Sequence, residues 1–92
     1  MDHDAAATPG VYNPPNNAFY SQVLVPDEIN PAILIGHDGF YLKRITQRSG
    51  AQYIWYDRTR KVVEVWGPEY SLPLAVHLIK MQIVKLLAPE TV

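Results

Sequence analysis

The sequence predicts a small α+β domain with the element order β-α-α-β-β-α. Three observations predict it. Two short runs rich in Tyr, Ile, Trp and Val, 51–56 and 61–66, flank a polar turn, as paired strands do. Apolar residues three and four apart over 40–49 and 71–87 mark helices. Glycine and proline punctuate the boundaries at Pro26, Pro31, Gly36, Gly50 and Pro68.

The elements follow in order. Phe19 to Val25 is a first strand, in which Val23 and Val25 alternate with Gln22 and Leu24, and Pro26 ends it. Asn30 caps a short helix with Pro31 in its first turn, and Ile33, Leu34 and Ile35 carry it to Gly36. Asp38 or Gly39 begins a second helix, which runs to Ser49 and stops at Gly50. Ala51 to Tyr56 is the second strand, Asp57 to Arg60 a turn, and Lys61 to Trp66 the third strand. The last helix starts near Pro68 or at a Ser71 cap and runs to Leu87; Pro73 fits its first turn. Residues 1–18, rich in Pro and Asn, read as a flexible tail, residues 19–88 as one domain, and 89–92 as a C-terminal tail.

The 92 residues suffice for one domain. The absence of cysteine excludes disulfides and thiolate metal sites. No apolar run approaches the roughly 18 residues of a membrane span, and the Met1-Asp2-His3-Asp4 start lacks a signal-peptide pattern. The expected location is intracellular, in cytoplasm or nucleus. The formal net charge of −1 argues against indiscriminate phosphate binding. Yet 36–61 holds six basic residues (Lys43, Arg44, Arg48, Arg58, Arg60, Lys61) against two acids (Asp38, Asp57), a local excess of four positive charges.

The stretch Ile35-Gly36-His37-Asp38-Gly39-Phe40-Tyr41-Leu42-Lys43-Arg44-Ile45 resembles the G-x-x-G segment of a KH (K homology) domain. Ser49-Gly50-Ala51 follows at that family's spacing. Val65-Trp66-Gly67-Pro68-Glu69 is similar to its third strand end, and Ala75 and Ile79 match its last-helix core positions. The resemblance covers roughly 19–87 and implies the type I fold, a three-stranded antiparallel sheet packed against three helices. It also implies a function: clamping about four nucleotides of single-stranded nucleic acid, RNA above all, between the loop and an apolar groove. By position the binding residues are Ile33, Leu34, Gly36, His37, Asp38, Gly39, Leu42, Lys43, Arg44 and Ile54, with Arg58 and Arg60 at the far rim.

The loop has its own physical logic. Glycines let a sugar-phosphate backbone approach closely, and the exposed N–H groups at a helix start favour phosphate. Asp38 opposes that logic, since a carboxylate about 5 Å from a phosphate costs roughly 1–3 kcal/mol. The simplest role for Asp38 is to cap the second helix.

A second surface emerges from the same pattern. With Val23, Val25, Tyr53, Trp55, Val63 and Val65 facing inward, Tyr20, Leu24, Ile54, Tyr56 and Trp66 face outward, and Leu74, Leu78 and Met81 form an extra stripe on the last helix. Either a protein partner or second copy covers Tyr20, Leu24, Tyr56, Trp66, Leu74, Leu78 and Met81, or the N-terminal tail folds back over the sheet. The alternative function is therefore a protein-interaction, scaffold or dimerisation module with reduced RNA binding. His3, His37 and His77 sit in no metal or catalytic spacing, so the expectation is a binding module that is not an enzyme and carries no cofactor.

Overall fold

Alternating valines decide where the sheet lies. In the computed structural model, which describes residues 10–88, Val62–Gly67 forms β3, the middle strand of a three-stranded antiparallel sheet. Phe19–Leu24 (β1) pairs with one side of it and Tyr53–Asp57 (β2) with the other. Ser21 lies opposite Val65 and Val23 opposite Val63, so one face of β1 and β3 presents valines to the interior. Against that face pack Phe40–Ser49 (α2), Ser71–Leu87 (α3) and a helical stretch of only five residues, Pro31–Ile35 (α1). Leu34, Ile35, Leu42, Ile45, Ala75, Ile79 and Ile83 supply the helical half of the core. The expected tail residues 1–9 and 89–92, His3 among them, lie outside the described residues.

The caps explain the boundaries. Asn30 Oδ1 accepts a hydrogen bond from the Ala32 N–H at 3.0 Å, with Pro31 at the first helical position. Gly50 closes α2 in the left-handed region and donates to Thr46 O at 3.2 Å. Ser71 Oγ donates to Pro68 O at 2.7 Å, which fixes the start of α3 and leaves Pro73 in its first turn. The second helix begins at Phe40, not at Asp38 or Gly39, because His37–Gly39 form a separate tight turn interrupted by the left-handed Asp38.

The facing of β2 differs from expectation. Ile54 and Tyr56 point into the core, opposite Val65 and Val63, while Tyr53 and Trp55 lie on the outer face opposite Trp66 and Glu64. Tyr56 is 2% exposed and Ile54 7%, so neither belongs to an outer surface patch. The sequence Tyr-Ile-Trp-Tyr has no polar alternation, and a one-residue slip exchanges the two faces.

Trp66 is also not an open surface residue. It is 9% exposed, under the rings of Tyr12, Tyr20 and Tyr53 at centroid distances of 5.9, 5.1 and 5.4 Å. Tyr12 belongs to the segment expected as tail. Within that segment, residues 11–13 lie back on the outer sheet face: the Asn13 N–H donates to Tyr53 Oη at 2.8 Å, and Tyr53 Oη donates to Val11 O at 3.3 Å.

At Gly67 the helix start and the chain after α2 meet the sheet. A Cβ there would lie 2.7 Å from Ser71 Oγ and 3.0 Å from both Ala51 Cα and Gln52 N. Ser71 is fully buried and its hydroxyl is already bonded, so it has nowhere to move. Gly67→Ala is expected to cost about 1–3 kcal/mol of stability, read as a lower urea midpoint at unchanged slope. An unaltered midpoint would show that the contact can relax.

Candidate nucleic-acid interface

Helical periodicity on α2 builds one wall of a groove. Leu42, Lys43, Thr46 and Gln47 recur at helical spacing on the side of α2 that faces β2, and Gly39 stands at its head. Gln52, Tyr53, Ile54 and Trp55 form the opposite wall. The open groove has a volume of about 340 Å³, with Leu42 and Ile54 shared between it and the core.

The loop at the head of the groove is held open by glycine. Gly36 has φ 84° and ψ 165°, and a Cβ on it would lie 2.8 Å from Tyr41 Cδ2 and 2.9 Å from Tyr41 N. No other residue fits there without moving the first turn of α2. Between the glycines, the side chains of His37 and Asp38 are 94% and 82% exposed, with His37 Nε2 3.3 Å from Asp38 Oδ2. Asp38 makes no capping hydrogen bond. It occupies φ 53°, ψ 30°, a left-handed conformation in which Asp and Asn are the best tolerated residues after glycine. The acid therefore answers a backbone demand and not the helix terminus.

The twelve expected binding residues separate into distinct places. Gly39, Leu42, Lys43 and Ile54 line the groove, and Gly36, His37 and Asp38 stand at its head. Leu34 is wholly buried and offers no surface. Ile33 is exposed on α1 without lining the groove. Arg44 is one step round the helix from Lys43 and faces α3. Arg58 is exposed in the β2–β3 turn.

Arg60 is turned to the outer sheet face. Its Nε lies 3.0 Å from Asp57 Oδ2 and its Nη2 2.7 Å from Glu64 Oε2, because Asp57 Oδ1 also accepts from the Thr59 and Arg60 N–H groups and curls the turn outward. Those bonds hold the Asp57 carboxyl below its ordinary range, the Arg60 backbone N–H first among them, and Asp57 in turn raises the Arg60 guanidinium. Asp27 is lowered and Lys61 raised by their mutual 2.8 Å hydrogen bond.

No family model, curated protein or solved structure matches the chain.

Thr46, Gln47, Gln52, Tyr53 and Trp55 are groove residues that the sequence reading passed over. The first two were accessible from it, since they follow Leu42 and Lys43 by one helical turn. The sheet's outer face holds a further unexpected centre. Glu64, 6% exposed, accepts from Tyr12 Oη at 3.2 Å, Tyr20 Oη at 2.9 Å and Arg60. Burial, reinforced by Glu64, pushes both tyrosine hydroxyls above their usual range.

The expected protein-interface residues scatter as well. Leu24, Tyr20, Leu74 and Met81 are exposed, Leu78 is half-buried against the core, and Trp66 and Tyr56 are buried as described above. No helix among the described residues is long and apolar enough to cross a membrane.

Proposed function

We propose that the chain binds single-stranded nucleic acid, RNA in preference, as a type I KH domain. Its glycine-flanked loop holds the sugar-phosphate backbone and the α2–β2 groove holds the bases. One observation carries this reading: the exposed His37–Asp38 pair, held between Gly36 and Gly39, stands at the head of an apolar groove with Lys43 on its wall. The element order and the middle position of β3 support the same reading. Leu42 and Ile54 give the groove an apolar floor beside Lys43, the pairing of apolar contact with a cation that single-strand binders use.

Fluorescence anisotropy of labelled random-sequence RNA, at low and moderate salt, tests it. Binding is expected at tens of micromolar protein and weakens with salt, and Lys43→Glu lowers affinity about tenfold. No salt-sensitive binding in that range sinks the reading. A chain that ignores RNA but sediments as a dimer at the same concentration is a protein-interaction module instead, built on the exposed Leu24, Leu74 and Met81.

A further inference from the structure

Helix α2 has a second lined face. One residue on from Lys43 and Gln47, Arg44 and Arg48 turn toward α3, where Leu78, Met81, Val84 and Lys85 complete a groove of about 690 Å³. This groove shares no residue with the α2–β2 groove. Its apolar lining is mainly aliphatic, with Met81 56% and Val84 65% exposed, and includes the Tyr41 ring. Its charged side chains are three cations, and no acid lines it. Among the described residues none of the three is in an ion pair; Arg44 only lies 6.0 Å above the Phe40 ring.

We infer that the α2–α3 groove is a docking site for an acidic amphipathic helix of a protein partner. Charge complementarity and shape choose this occupant. A groove walled by two helices receives a third helix by its i, i+3, i+4, i+7 residues. The ten residues of α2 span about 15 Å, which matches about ten residues of helical peptide. A methionine-containing aliphatic floor adapts to such a face. The cations on the rim attract carboxylates and repel a basic helix, which supplies specificity and on-rate. Nucleic acid fits less well, since single-strand binding calls for successive stacking rings along the track and Tyr41 is the one ring among the residues that line this groove.

The test is selection of peptides of about 15 residues from a random display library on the full 92-residue chain, with the Arg44→Glu/Arg48→Glu double variant as counter-target. Both arginines are exposed, and matching thermal melts by circular dichroism establish that the variant folds. The expected winners carry apolar residues at helical spacing flanked by Asp and Glu. They bind about tenfold more weakly to the double variant, and an excess of the RNA used above does not displace them. Failure to enrich any sequence overturns the inference, as does enrichment of neutral or basic peptides. Displacement by RNA, together with loss of RNA binding in the double variant, overturns it too and reassigns the cations to nucleic acid.

Discussion

Asp38→Asn is expected to tighten RNA binding about fivefold at low salt. Asparagine tolerates the left-handed conformation at φ 53° as well as aspartate does, so the substitution removes a charge and leaves the loop alone. At about 5 Å from a phosphate the carboxylate costs roughly 1 kcal/mol in a water-like medium and about 3 at an effective dielectric of 20. With the Asp38 side chain 82% exposed, the lower figure applies. Each 1.4 kcal/mol is a factor of ten, which sets the gain at about fivefold. Screening shrinks it as salt rises. Anisotropy titrations at two salt concentrations measure both effects. Equal affinity for the two proteins at low salt would mean that no phosphate comes near the loop.

The largest stability effect is expected at Glu64. Replacement by alanine leaves Tyr12, Tyr20 and Arg60 without their common acceptor on a face where the carboxylate is 6% exposed. Removing one member of a buried ionic cluster costs about 3–5 kcal/mol. The Arg60 side chain is 52% exposed and regains water, so the expected loss is nearer 2–3 kcal/mol. Urea unfolding followed by circular dichroism reads it. Tyr12→Phe keeps the ring contacts and gives up one hydrogen bond, and should cost about 1 kcal/mol. A Glu64→Ala protein within 0.5 kcal/mol of the parent, about the scatter of ordinary surface substitutions, would show that the cluster is decoration.

The sequence made the helices legible because their signals are local. Asn30-Pro31, Gly50 and the Ser71–Pro73 start each specify a boundary within a few residues; the Asn30 and Gly50 caps appear at the expected place, while Ser71 is the first residue of α3 and not its cap, which is Tyr70. The facing of β2 was less plain, because Tyr53 to Tyr56 are apolar throughout. The information lay in the turn. Counting outward from a turn at 57–60 sets Ile54 opposite Val63, and the observed register, with Ile54 opposite Val65, keeps the same facing. The roles of Arg44 and Leu34 were hidden for a different reason. Side-chain direction around a helix turns by 100° per residue, so neighbours such as Lys43 and Arg44 serve different grooves. The Glu64 centre joins residues 52 positions apart in the chain, beyond the reach of any local pattern.

Both tryptophans of the chain lie on the outer sheet face, within 6 Å of the Tyr12 ring, and neither belongs to the helical core. Intrinsic emission from this protein is therefore a gauge of how residues 11–13 are seated. A spectral shift on heating records the lifting of that segment, while the packing of helices on valines passes unseen by the same light.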